Sequence, residues 1–137
     1  MNLTNIRTNR SQYNKVFWNA LSEERIVVQT CQTCRTKQFY PRIICNRCQS
    51  DDLKWEDLPL VGELYSFTIV HRSPSQEYFP NVPYVLGVVK IDDGSGVCVQ
   101  LFANIVDVSI EEVQTGMKVK ATFPILEDMT TLAFTKY

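Results

Sequence analysis

Apolar positions follow a helical period over residues 11–22, where Tyr13, Val16, Phe17, Ala20 and Leu21 fall on one stripe behind Ser11 as a candidate N-cap. Trp18 falls off that stripe, either at the edge of an intramolecular contact or as an anchor for another protein. The period then shortens to two. Arg25–Thr30 predicts a strand that delivers Cys31, and Lys37–Tyr40 predicts a second that turns at Pro41. Further on, Leu64–His71 alternates, with Tyr65, Phe67, Ile69 and His71 on one face. Tyr84–Ile91 and Val97–Ala103 flank Asp92-Asp93-Gly94-Ser95-Gly96, whose Asp-Gly pair predicts a hairpin. Gly116 opens a fourth strand with Met117, Val119, Ala121 and Phe123 inward and Lys118, Lys120 and Thr122 outward, and Thr131–Lys136 supplies a fifth. Between the third and fourth lies a connector with one helical turn at Ser109–Val113.

Five short strands with that connector and one long loop predict a Greek-key barrel of the OB type. The fold class is therefore mainly β: an N-terminal helical segment (1–24), a rubredoxin-like zinc ribbon (25–56) and an OB-fold domain (57–137).

The ribbon assignment rests on four cysteines, Cys31-Gln-Thr-Cys34 and Cys45-Asn-Arg-Cys48, whose tandem spacing can close one tetrahedral site. Four thiolates leave a metal no open position, so the site is expected to be structural; zinc is the expected ion, and iron accepts the same ligands. Such knuckles commonly carry glycine after the second cysteine, where φ turns positive. Here Arg35 and Gln49 hold those positions, at a cost of about 1 kcal/mol each. The fifth cysteine, Cys98, sits in an apolar run and is expected to be a buried, inert thiol.

Net charge is −1, unevenly divided: residues 1–50 carry eight Lys/Arg against two Glu, and residues 51–137 six against thirteen Asp/Glu. Arg35, Arg42 and Arg47 lie in or beside the metal loops, where they read either as compensating a zinc tetrathiolate of charge −2 or as touching phosphates of nucleic acid or of a nucleotide-bearing cofactor. The acidic second half disfavours a polyanionic partner. No stretch approaches the roughly 18 apolar residues of a membrane span, and the polar start lacks the apolar core of a secretory signal, so a cytoplasmic location with reduced thiols is expected.

The long loop over 72–83, with three prolines and the Tyr78-Phe79 pair, reads either as a semi-rigid flap at the barrel mouth or as a cap on the core. His71 is the one histidine, and no nucleophile elbow, phosphate-cradling loop or paired-carboxylate motif accompanies it. The chain itself is expected not to be an enzyme.

The helix with Phe17-Trp18, the four-cysteine ribbon enclosing Gln38-Phe39-Tyr40-Pro41-Arg42, Gly62–His71, Pro83–Gly87 and Thr115–Val119 together carry a resemblance over residues 11–124. The chain resembles the zinc-ribbon plus OB-fold proteins catalogued as domain of unknown function thirty-five. That resemblance implies an accessory subunit that docks on a thiolase-fold acyl-CoA enzyme (acyltransferase, HMG-CoA synthase or aldolase type) or on a hot-dog-fold hydratase, and helps complete its acyl-CoA channel. Arg72, Tyr78, Phe79 and Tyr84 are the candidate acyl-CoA contacts, since such a ligand asks for a few cations beside an apolar slot. Lys118 and Lys120 read as a solvated strand face. The alternative is a single-stranded nucleic-acid-binding OB protein.

Overall fold

The computed structural model describes residues 15–72, 82–126 and 129–137. Helix α1, Lys15–Ser22, buries Phe17, Ala20 and Leu21, while Val16 of the predicted stripe is 43% exposed; Ser11 and Tyr13 lie outside the described residues. The helix ends where Glu24 turns left-handed (φ 58°), so that the Arg25 N–H bonds the Ala20 carbonyl and the Glu24 N–H the Leu21 carbonyl, both at 2.9 Å. This pair of bonds satisfies carbonyls the helix end would otherwise leave open.

The chain then enters a three-stranded antiparallel sheet, with β1 (Ile26–Cys31) between β2 (Lys37–Gln38) and β3 (Leu53–Leu58). Every residue of β1 is buried, covered on one side by α1 and hydrogen-bonded on both edges. β3 was not predicted from the sequence. It pairs with β1 along its whole length, from Cys31 opposite Leu53 to Ile26 opposite Leu58.

Pro59 and Leu60 lead into a closed barrel of β4 (Val61–Val70), β5 (Tyr84–Asp92), β6 (Cys98–Ile105), β7 (Lys118–Thr122) and β10 (Ala133–Lys136), in the order β10-β6-β5-β4-β7. β10 lies antiparallel to β7 and parallel to β6, which closes the cylinder as the Greek-key reading requires. Leu64, Val89, Ile91, Leu101, Val119 and Phe134 are each sealed from solvent at its centre. Gly87 on β5 is there for space: a Cβ would stand 2.7 Å from Leu64 Cδ1 and 2.9 Å from Ile105 Cδ1.

The β5–β6 hairpin forms as predicted, its loop held by the Asp92 and Asp93 carboxylates accepting from the Gly94 and Ser95 amides, both at 2.7 Å. The connector carries one 3-10 turn, Ile110–Glu112, and β7 has the predicted alternation. The fifth strand begins at Ala133, two residues later than predicted, and ahead of it β8 (Ile125–Leu126) pairs antiparallel with β9 (Met129–Thr130), the latter reaching α1.

One predicted face is wrong. A bulge between Leu64 and Ser66 inserts an unpaired residue in β4, so Leu64 points into the barrel, Phe67 and Ile69 continue that face, and Tyr65 is 53% exposed. His71 is exposed just beyond the strand end. Cys98 is also corrected: at the solvent-facing start of β6 it is half-buried, not sealed.

Candidate metal centre and the ribbon loop beside it

The two knuckles repeat one backbone pattern. The Cys31 N–H reaches the Thr36 carbonyl (2.9 Å) and the Arg35 N–H returns to the Cys31 carbonyl (2.9 Å); the Cys45 N–H reaches Ser50 (2.8 Å) and the Gln49 N–H returns to Cys45 (3.0 Å). Such a tight return requires positive φ at the residue after the second cysteine. Arg35 (66°) and Gln49 (65°) adopt it, as the sequence led us to expect. The Thr33 and Ser50 hydroxyls, 2.9 Å apart, tie one knuckle to the other.

This arrangement gathers the four sulfurs within 4.8 Å of one another, with Cys31 Sγ 3.5 Å from Cys48 Sγ and Cys34 Sγ 3.6 Å from Cys45 Sγ. Zn–S bonds of about 2.3 Å in a tetrahedron set sulfurs about 3.8 Å apart, so the set fits a zinc ion. Cys31 and Cys45 are buried, Cys34 is half-buried and Cys48 exposed.

The electrostatics favour a cation at the centre. The Thr36 hydroxyl, 3.3 Å from Cys34 Sγ, and then the Thr36 backbone pull the Cys34 thiol down to about 6. Arg47 donates to the same hydroxyl oxygen at 3.4 Å. The Cys31 thiol is lowered, chiefly by the Cys34 N–H. At Cys48 the Ser50 backbone pulls down, but desolvation and the other three sulfurs push the thiol up to about 12. Such a set cannot hold four negative charges alone, and a divalent ion removes that conflict.

Beside the metal loops, two buried glutamines fix the segment between the knuckles. The Gln29 amide donates to the Arg42 carbonyl (2.9 Å) and accepts from the Arg42 N–H (2.8 Å), bonding that residue as a neighbouring strand would. Gln38 donates to Gln29 Oε1 (2.7 Å) and the Ile44 carbonyl (3.3 Å) and accepts from the Asn46 N–H (2.9 Å). The loop so fixed turns Tyr40, Ile43 and Ile44 outward, exposed by 55%, 61% and 43%. Its root is anchored by Phe39, whose ring packs 5.1 Å from Phe17 of α1 and 4.3 Å from Tyr40.

Lys37 joins ribbon to barrel. Its side chain is 3% exposed, with Nζ 2.8 Å from Thr30 Oγ1, 3.0 Å from Glu56 and 3.5 Å from Asp93 in the β5–β6 hairpin. No local pattern marks this buried lysine, because its two carboxylates lie 19 and 56 residues further on.

Of the candidate acyl-CoA contacts, Arg72 is exposed two residues past the end of β4, and Tyr84 is half-buried at the start of β5, opposite Val70. The two therefore share one end of the barrel. Tyr78 and Phe79 lie outside the described residues. Lys118 and Lys120 stand exposed on β7, with Lys118 over the Tyr137 ring at 5.3 Å. Among the described residues, the four cysteines are the one cluster suited to a metal, and no helix is long and apolar enough to cross a membrane.

Two family descriptions match in succession: "ChsH2, rubredoxin-like zinc ribbon domain" over residues 18–54 and "ChsH2, C-terminal OB-fold domain" over 55–124. A "DUF35 domain-containing scaffold protein" of Methanocaldococcus jannaschii is 29% identical over 77% of this chain and 73% of its own length. A "Probable enoyl-CoA hydratase alpha subunit" of Thermomonospora curvata is 28% identical over 77% of this chain, which spans only 32% of that longer relative. The solved structure "Ltp2-ChsH2(DUF35) aldolase" superposes with a TM-score of 0.78 over 93% of this chain and 97% of the other, at 24% identity, a likeness of fold.

Proposed function

The chain belongs to the ChsH2 family of DUF35 proteins, a rubredoxin-like zinc ribbon followed by an OB-fold domain, and on that premise we propose that it is a non-catalytic accessory subunit of an acyl-CoA enzyme. The observation that carries this reading is the closed metal site: four thiolates hold zinc with no position left for substrate or water, so the metal folds the ribbon and activates nothing. Zinc would be held by Cys31, Cys34, Cys45 and Cys48, and what it supplies is a rigid crosslink between two loops. His71 is exposed at a strand end and, among the described residues, is not part of a cluster of three or more His, Cys, Asp or Glu suited to a metal.

The partner is of the thiolase fold. Support comes from relatives described as a scaffold protein, as the ChsH2 part of an aldolase and as an enoyl-CoA hydratase subunit; two of the three names join this module to an enzyme, and one of them names a CoA thioester. Arg72 and Tyr84, at the barrel end they share, then contact the CoA ester, and Tyr78 and Phe79, between them in sequence, are the further candidates for that contact.

Co-expression with the thiolase-fold enzymes of its own genome, followed by size-exclusion chromatography, is expected to give one co-eluting complex whose thioester turnover requires both chains. Separate elution in every pairing, or turnover of a thioester by this chain alone at the rate of a dedicated enzyme, overturns the proposal. Binding of a single-stranded oligonucleotide that weakens steeply with salt would favour the nucleic-acid alternative.

A further inference from the structure

We infer that the loop between the metal knuckles, with Tyr40, Ile43 and Ile44 at its crest and Arg42 among them, is the docking element, and that it fits a protein surface presenting an apolar hollow bordered by a carboxylate. The inference rests on the accessory-subunit reading and adds to it which residues make the contact and what chemistry receives them.

Three observations converge on this loop. Three large apolar side chains within five residues are left exposed, although the same ribbon buries every residue of β1 and both of β2. Exposed apolar residues of this size, grouped on one loop, mark an interaction surface more often than a solvated one. The loop is also rigid before any partner arrives. Gln29 and Gln38, 6% and 3% exposed, spend their side-chain amides on the main chain of Arg42, Ile44 and Asn46, and the metal knuckles clamp both ends. A surface ordered in advance loses little conformational entropy on binding, so its apolar area converts more fully into affinity.

Charge names the receiving surface. No Asp or Glu occurs between residues 25 and 50. Arg25 is engaged by Asp57 and Glu23, Lys37 by Glu56 and Asp93, and Arg47 by the Thr36 hydroxyl of the metal site. The Arg42 guanidinium is exposed and, among the described residues, has no side-chain partner, although its backbone is fixed on both sides. An arginine standing between aliphatic side chains asks for a carboxylate at the border of an apolar hollow. Nucleic acid fits poorly, because Ile43 and Ile44 have no π face for a base and, among the described residues of this loop, Arg42 is the one cation without a side-chain partner, a weak handle on a phosphate chain.

The test measures binding of the partner recovered by co-elution to wild-type protein and to I43D, R42E and, as a remote control, F102S on the outer barrel, where Phe102 is 59% exposed. All four should keep one zinc per chain and the wild-type far-UV spectrum. The expected result is a loss of tenfold or more in affinity for I43D, a slower association with a flatter salt dependence for R42E, and no change for F102S. Wild-type affinity in both I43D and R42E, with the complex intact, overturns the docking assignment and leaves the accessory role standing. Loss of binding in F102S alone would transfer docking to the barrel and overturns it as well. Failure of the wild-type chain to bind any thiolase-fold enzyme removes both readings together. Should I43D lose zinc, the pair R42E and Y40S decides, since R42E only exchanges one charge for another at an exposed position and Y40S introduces none.

Discussion

At the scale of single residues, the two positive-φ positions show how far a spacing rule reaches. The tandem CxxC pattern states where the backbone must turn left-handed, and Arg35 and Gln49 turn there although neither is glycine. A Cβ in that region costs about 1–2 kcal/mol, part of which glycine gives back through its looser unfolded chain. Arg35→Gly and Gln49→Gly are each expected to stabilise the zinc-loaded protein by about 0.5 kcal/mol, read as a raised denaturation midpoint. Alanine at either site keeps the Cβ and should bring no gain; an equal gain from alanine would mean that backbone strain is not the cause. What the spacing did not disclose is the support around the site. Thr36 and Arg47 act on Cys34 through a hydroxyl that no motif marks, and Gln29 and Gln38 look like ordinary polar strand residues until their amides are seen bonding main chain.

At the scale of elements, period-two patterning found all five barrel strands and failed where the period itself breaks. The bulge at Leu64/Ser66 adds a residue to one strand only, which leaves Leu64 and Phe67 on the same face at odd spacing and sends Tyr65 to solvent. β3 was missed for another reason: Lys54, Glu56 and Asp57 give it the composition of a loop, and pairing with β1 overrides that composition. Its acids face cations across the sheet, with Asp57 accepting from Arg25 at 2.8 and 2.9 Å and Glu56 from Lys37. Close approach inside the barrel has a sharper consequence. Gly87→Val would drive methyl groups into Leu64 and Ile105, and the expected loss is about 1–3 kcal/mol of stability in urea, with the metal content unchanged. A neutral outcome would show that β4 and β6 yield readily at that point.

For the molecule as a whole, the junction depends on one buried cation. Lys37 lowers the Glu56 carboxyl by a direct hydrogen bond, and Asp93 is lowered first by Ser95 and then by Lys37. A carboxyl lowered in the folded state stabilises the protein above its ordinary value, and that contribution fades as pH falls through the lower folded value. With ordinary values of 4.5 for Glu56 and 3.8 for Asp93, the wild-type advantage over Lys37→Met is expected to be full at neutral pH and to shrink below about pH 4.5. Acid also expels zinc by protonating the thiolates, but it does so in both proteins, so the difference between their melting temperatures isolates the lysine. A difference that stays constant down to pH 3 would assign Lys37 a packing role only. None of this junction was visible in sequence, since its members are brought together only by the closed barrel resting on the ribbon.

Because Gln29 and Gln38 hold the inter-knuckle loop by the main chain of Arg42, Ile44 and Asn46, its shape beyond the Phe39 root does not depend on which side chains it displays there. Arg42, Ile43 and Ile44 are thereby released from folding duty, whereas Tyr40 stays tied through its ring to Phe39, and a lineage can exchange those three one at a time without disturbing the zinc site or the sheet beneath. Diversification of relatives toward new catalysts would then leave its trace first in those few exposed side chains, over an unaltered frame.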